Sequence, residues 1–302
     1  MTAGRFGGVL PAVVTPVGEA GQFERTPFER LLGRLYAAGV DGIYVCGSTG
    51  EGMQLSVEQR RAVAEAAVEL SPSGAQVIVH VGASAAEDAL TLARHAVRAG
   101  ASAVSSLPPP GKFGFRELRE YYARLAGETG LPLFLYYYPE VGGSVLTLDE
   151  LLELCALPRV AGIKITDFDL YRLRMLKEAG AVVFSGRDEV MVAGLLMGAD
   201  GAIGTFYNLL PGEAVRIHRL ARAGRWEEAR DTQDRINSLV RVVAPFPLFP
   251  AVKQLLEWSG IDCGGCLPPR LRLEPAEREE LRRRARDAGF PALIAAAPGF
   301  PA

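Results

Sequence analysis

The chain has 302 residues, 49% of them hydrophobic, and a formal net charge of -2. That is enough apolar material for a sizeable core, arranged either as one large α/β barrel or as two smaller domains. The near-neutral balance leaves no basic face for nucleic acid and no polybasic patch for a membrane, and no apolar run has signal-peptide or bilayer-spanning length, so a cytoplasmic protein acting on a small molecule is expected.

In chain order, short apolar runs alternate with amphipathic stretches. "GVLPAVVTP" is followed by "FERLLGRLYAAG", whose apolar residues recur at spacings of three and four and which ends at glycine. "GIYVCGS" leads to "SVEQRRAVAEAAVEL", where Ser56 is placed to cap a helix, and "QVIVHVG" leads to "AEDALTLARHAVRAG". "SAVSSLP", "LPLFLYYYP", "VAGIKIT", "AVVFSG" and "DGAIGTF" bring the apolar runs to eight. Strand and helix alternating eight times predict a closed parallel (β/α)8, or TIM, barrel. A doubly wound sheet would usually place a Gly-rich nucleotide turn after the first strand, and "VVTPVGEAG" is not one.

Past the eighth run come "LLPGEAVRIHRLARAG", "RWEEARDTQDRINSLVRVV", "FPAVKQLLEWSG" and "PAEREELRRRARDAG", all of helical period. The first completes the barrel, which places a catalytic barrel in 1–223 and a three-helix extension with a tail in 224–302. The charged run "EREELRRRARD" reads as a solvated helix face with opposite charges four apart, and the tail "AAAPGFPA" is expected to fray. Cys46 and Cys155 lie in apolar segments as small core residues. Cys263 and Cys266 form a C-G-G-C without a second pair or a nearby histidine, so they read as free thiols in a loop rather than a metal set.

Chemistry in such a barrel sits where the strands end. Those positions hold Gly47, Ser48, Thr49, Gly50 and Glu51; Tyr136, Tyr137 and Tyr138; Lys164 and Thr166; Gly186, Arg187, Asp188 and Glu189; and Gly204 and Thr205. No His or Cys group converges there, so neither a metal site nor a cysteine nucleophile is expected. Lys164 is the anomaly, an ammonium inside an apolar strand. It needs an ion pair, a route to the surface, or a use as a desolvated amine. The "GSTGE" turn offers backbone N–H groups and two hydroxyls to a small carboxylate, though it would serve equally as a plain turn before a helix. Asp188 and Glu189 have two readings as well, a helix cap or a pair of acceptors for vicinal hydroxyls. A carboxylate clamp, a phenol and a dry amine together fit Schiff-base chemistry on a 2-oxo acid.

The motifs "GVDGIYVCGSTGEG", "HVGAS", "YYYP", "GIKITD", "GRDE", "MGADGAIGTFYN" and "FPAVK", in this order, resemble the N-acetylneuraminate lyase and dihydrodipicolinate synthase family of pyruvate-dependent class I aldolases, from about Gly8 to about Arg272. The resemblance implies that Lys164 forms the imine with pyruvate and that Tyr136 is the phenol that moves protons. It implies that Ser48 and Thr49 bind the pyruvate carboxylate, and that Thr166, Gly186, Asp188, Glu189, Gly204 and Thr205 contact the rest of the substrate. No metal or organic cofactor is implied, because the iminium is the electron sink. A small-molecule partner and a homotetramer follow from the same resemblance.

Two departures separate the branches. Where synthases carry an arginine two residues after the proline of the "YYYP" motif, this chain has Val141, and where they carry paired aromatics it has Pro109 and Pro110. The proline pair differs from lyases too, leaving the relay to Tyr136 and water. "GRDE" and "DGAIGTFYN" resemble the lyase branch, with Thr205 where serine is usual. The resemblance therefore implies cleavage of N-acetylneuraminate to pyruvate and N-acetylmannosamine. The alternatives are an aldolase or dehydratase for 2-keto-3-deoxy sugar acids or aryl 2-oxo acids, then a dihydrodipicolinate synthase or a non-catalytic sugar-acid binder.

Overall fold

Eight parallel strands alternate with helices around a common axis in a computed structural model that describes residues 6–143 and 145–295. The strands are β1 (Gly8–Pro11), β2 (Gly42–Val45), β3 (Gln76–His80), β4 (Ala103–Ser106), β5 (Leu133–Tyr137), β6 (Val160–Ile165), β7 (Val182–Ser185) and β8 (Gly201–Gly204). Helices α1 (Arg25–Ala37), α2 (Val57–Glu69), α3 (Ala86–Ala99) and α4 (Phe115–Thr129) follow the first four strands in turn. The short α5 (Pro139–Gly142) and then α6 (Leu148–Cys155) follow β5, α7 (Leu170–Glu178) follows β6, and α8 (Met191–Leu196) follows β7. After β8 come α9 (Pro211–Arg222), α10 (Trp226–Val243), α11 (Leu248–Trp258) and α12 (Pro275–Asp287).

Every one of the eight apolar runs is a strand, hydrogen-bonded in the order β1-β8-β7-β6-β5-β4-β3-β2. The seam between β1 and β2 is held by a parallel bridge from Ala12 to Tyr44, with Val13 N–H donating to Tyr44 O at 2.9 Å. Strand alternation divides the apolar residues into two sets. Leu10, Tyr44, Ile78, Phe134, Tyr136, Phe184 and Ile203 fill the barrel interior, whereas Val9, Ile43, Val79, Leu135, Tyr137, Ile163 and Val183 pack outward against the helices. Because Lys164 lies in register between Tyr136 and Phe184, it shares their inward face.

Local signals set the helix ends. Ser56 accepts a hydrogen bond from Gln59 N–H, and the Gln59 side chain returns one from Ser56 N–H, both at 3.2 Å, so the expected cap of α2 is a complete capping box. Gly100 ends α3 at φ 89°, where a side chain would be strained. Helix α9 packs by β1 and completes the barrel wall, α10 lies along α9, and α12 contacts both α10 and α11. All four free cysteines keep their thiols, with Cys46 and Cys263 buried and Cys155 and Cys266 partly so. Most of the "AAAPGFPA" tail lies outside the described residues. Among those described, no single helix is long and apolar enough to cross a membrane.

Candidate active site

Lys164 is 4% exposed, near the end of β6, with its Nζ 4.0 Å from the centre of the Tyr136 ring and 4.5 Å from that of Tyr44. No carboxylate among the described residues lies within ion-pair distance of it. Of the three explanations for a lysine in this strand, the ion pair and the route to the surface are thus removed. Lys164 is instead enclosed between two aromatic ring faces, which attract a cation without neutralising it. Tyr136 meets Tyr44 and His80 edge to face, each at 6.0 Å between ring centres, and stacks on Tyr138 at 6.2 Å. Of the three successive tyrosines only Tyr137 turns outward, as alternation requires.

The turn after β2 is tightly built. Gly47 lies against the Tyr44 ring, where an added Cβ would meet Cε1 at 2.5 Å, and Thr15 Oγ1 donates to Gly50 O at 2.7 Å. Glu51 N–H donates to Ser48 O at 3.1 Å, and Glu51 itself is left-handed at φ 53°. Helix α2 begins at Val57 and is capped by Ser56, as the plain-turn reading also expects. Thr49 is buried and shares a 2.7 Å hydrogen bond with the Thr205 hydroxyl at the end of β8, while Ser48 is part-exposed.

The opposite rim, after β6 and β7, is organised around Asp188. Its Oδ2 accepts the Thr205 N–H at 3.1 Å, and with Glu189 it stands in the first turn of a short 3-10 helix, Asp188–Val190, so the carboxyl reaches the end of β8 while keeping the helix-start position that the dipole favours. A Cβ on Gly204 would fall 1.7 Å from Asp188 Oδ1, so only glycine leaves room for this carboxyl. Gly186 plays the same part for Thr166, whose Oγ1 would lie 2.1 Å from an added Cβ. Asp188 Oδ1 and Thr166 Oγ1 are both buried without a hydrogen-bond partner among the described residues. Burial pushes the Asp188 carboxyl up to about 7, with the Thr205 N–H opposing the shift. Glu189 is part-exposed beside it. The structure thus gathers Lys164 and Tyr136 in the barrel interior and places the other eight candidates at the strand ends and turns around it.

Several residues at the site were not singled out in the sequence. Tyr44 forms half of the lysine cage and donates to Ser105 Oγ at 3.1 Å. Its inward parity on β2 was the available signal. His80, at the end of β3, accepts the Leu107 N–H on Nε2 at 3.0 Å while Nδ1 faces Cys46 O at 3.1 Å, which fixes a neutral ring with its proton on Nδ1. Burial, then Arg60 and Lys164, hold its pKa well below the ordinary histidine value. Arg60 is buried on backbone oxygens, donating to Gly82 O at 2.8 Å and His80 O at 2.7 Å. Asn208 ties the ends of β1 and β8 together at the mouth by donating to Ala12 O at 2.7 Å and Thr205 O at 2.8 Å. Among the described residues no group of three or more His, Cys, Asp or Glu is placed to hold a metal ion.

The model of the dihydrodipicolinate synthetase family matches residues 5–288. The chain belongs to that family. It is similar to the N-acetylneuraminate lyase of Rhizobium meliloti, 36% identical over 278 residues that span 91% of this chain and 93% of the relative. The lyase of Haemophilus influenzae is 30% identical over 284 residues, 93% of this chain and 96% of its own. Among solved structures, the Ruminococcus gnavus sialic acid aldolase superposes with a TM-score of 0.89 at 27% identity, over 94% of this chain and 98% of that one. An Agrobacterium tumefaciens dihydrodipicolinate synthase reaches 0.88 at 27% identity, over 96% and 100% of the two chains, so backbone shape does not separate the branches. The family assignment makes the protein a pyruvate-dependent lyase of the lysine Schiff-base kind, which needs neither metal nor organic cofactor.

Proposed function

We propose that the protein cleaves N-acetylneuraminate to pyruvate and N-acetylmannosamine through an imine on Lys164. The observation that carries this reading is the unpaired, buried Lys164 between the Tyr44 and Tyr136 rings. The amine attacks the C2 ketone and water leaves, giving an iminium. The Tyr136 phenolate takes the C4 hydroxyl proton, the C3–C4 bond breaks, and its electrons pass into the enamine as the aldehyde departs. Tyr136 returns a proton to C3, and hydrolysis of the iminium frees pyruvate. Ser48 and Thr49 hold the carboxylate. Thr166, Gly186, Asp188, Glu189, Gly204 and Thr205 form the side that receives the polyhydroxy portion, where two buried oxygens lack partners. Val141, which is exposed, has no charge to offer a second carboxylate, which weighs against aspartate semialdehyde as the aldehyde.

Barrel 1–223 is the catalytic unit in this reading and 224–302 its helical extension, in a cytoplasmic homotetramer. A second reading, a 2-keto-3-deoxy sugar-acid aldolase, is favoured by one contact. The Thr205 hydroxyl is engaged with Thr49 and carries an extra methyl, so it offers less to an acetamido group. The test is borohydride reduction with pyruvate, which should add one three-carbon unit to the peptide containing Lys164 and none to Lys164→Ala. Pyruvate release from a panel of sugar acids then separates the two readings. Labelling elsewhere, or none, overturns both, and efficient condensation with aspartate semialdehyde overturns the choice of branch.

A further inference from the structure

A second lysine is buried as deeply as Lys164, and nothing in the proposed mechanism uses it. Lys253, on α11, is 2% exposed at its side chain and pairs at 2.8 Å with Oε1 of Glu51, the last residue of the "GSTGE" turn, which is fully enclosed. The other carboxylate oxygen of Glu51 accepts the Leu267 N–H at 2.8 Å, and Lys253 Nζ also donates to Gly265 O at 2.7 Å. Arg270 adds a contact from the rim, 3.7 Å from Glu51 Oε2, and donates to Gln54 Oε1 at 3.0 Å. Elements more than 200 positions later in the chain therefore grip this turn at its charged end.

The grip is specific to the part of the turn that matters. Glu51 N–H is bonded to Ser48 O, Gly52 N–H to Gly47 O, and Gln54 N–H to Glu51 O, so the Glu51 backbone is the hinge of the loop that carries Ser48 and Thr49. Its left-handed φ of 53° is one that a non-glycine residue adopts only when its surroundings hold it there. A carboxylate withdrawn from water supplies that hold only while a cation and an N–H answer both oxygens.

We propose that the Glu51–Lys253 pair is a positioning device through which the C-terminal segment sets the Ser48 and Thr49 hydroxyls for the substrate carboxylate. Neither residue touches substrate. Both act through the turn, so the extension beyond the barrel is part of the active site's construction. The inference rests on the reading that Ser48 and Thr49 bind the carboxylate of pyruvate.

The test measures two quantities in the full-length protein and in Lys253→Met and Glu51→Gln. One is the pyruvate concentration giving half-maximal borohydride labelling of Lys164. The other is amide hydrogen exchange in the peptide spanning 47–52. The expected result is a half-saturation raised at least ~10-fold in Lys253→Met and several-fold in Glu51→Gln, a labelling rate at saturating pyruvate within ~3-fold of the parent, and faster exchange in the turn. Arg278→Met, which breaks an exposed pair with Glu257 and a contact over the Trp258 ring but none with Glu51 or Lys253, should leave both quantities unchanged. Unchanged half-saturation in a folded variant overturns the proposal, as does a saturating rate that falls as far as the affinity. Should Lys253→Met fail to fold, the isosteric Glu51→Gln decides by the same criteria. If the parent takes no label from pyruvate, the proposed function has failed, and parent-like exchange in 47–52 of Glu51→Gln would separately overturn the positioning role.

Discussion

The two buried lysines, Lys164 and Lys253, are nearly equal in burial and opposite in surroundings. Lys253 has a carboxylate at 2.8 Å and a carbonyl oxygen at 2.7 Å. Lys164 has two aromatic faces at 4.0 and 4.5 Å and, among the described residues, no anion in contact. A lysine answered by a carboxylate and a carbonyl oxygen serves structure. One enclosed by rings is withdrawn from water with no counter-ion among the described residues, the arrangement that the proposed imine chemistry uses. Burial alone does not make a lysine reactive; what decides is the partner it lacks.

The sharpest break of this comparison is a pair of substitutions with opposite signatures. Lys164→Met should reduce turnover by roughly four orders of magnitude or more while leaving thermal stability equal or higher, because an unpaired buried charge has been removed. Lys253→Met should instead cost about 3 to 5 kcal/mol of stability, read from denaturant melts, because it strands Glu51. Stability losses of similar size in the two variants would erase the distinction. The next test is restoration: adding Glu51→Gln to Lys253→Met should recover most of the lost stability, since no buried charge remains. No recovery would mean that packing, not charge, holds the turn.

Smaller effects probe the cage around Lys164. Tyr44→Leu should raise the pyruvate half-saturation by about tenfold, in line with ~1 to 2 kcal/mol for a desolvated cation facing a ring, whereas Tyr44→Phe should stay within about threefold. Equal effects would assign the role to the hydroxyl and its bond to Ser105.

The subtlest effect is electrostatic. The Asp188 carboxyl, raised to about 7 chiefly by burial, is held back in part by the charge on Lys164. Lys164→Met should therefore move its titration upward in carbon-detected NMR, and Lys253→Met should not. Because the folded state binds this proton more tightly than the unfolded chain does, the contribution of Asp188 to stability is complete below the ordinary carboxyl value of 3.8 and is lost as pH rises through about 7. Asp188→Asn should flatten that part of the stability profile. His80 gives the converse: held neutral by the fold, it contributes fully above 6.5, and its contribution falls as pH drops below that value.

Much of this was legible in the sequence because it depends on local period. Eight apolar runs with helices between them specify the barrel, and a lysine in "VAGIKITD" declares itself by breaking its own pattern. The strand-end rule then collected Ser48, Thr49, Asp188 and Thr205. What escaped was long in sequence and short in space. Nothing near Glu51 announces Lys253, and nothing near Cys46 announces that His80 and Arg60 will close on its carbonyl and its neighbours. Asp188 shows the middle case. Its position suggested either a helix-start acid or an acceptor, and its bond to the Thr205 N–H, seventeen positions away, is the part the sequence did not announce.

The sheet closes by joining β1 to β8, pairing Gly8 with Gly201 across nearly two hundred residues of chain. A chain synthesised from its N-terminus has made Lys164 and both cage tyrosines before the strand that shuts the cylinder exists, and Lys253 comes later still. During that interval the barrel around Lys164 is incomplete and the turn after β2 lacks its partner Lys253. The enclosure of Lys164 and the clamp on the turn after β2 are thus both completed by segments made after the residues they hold, first β8 and then α11.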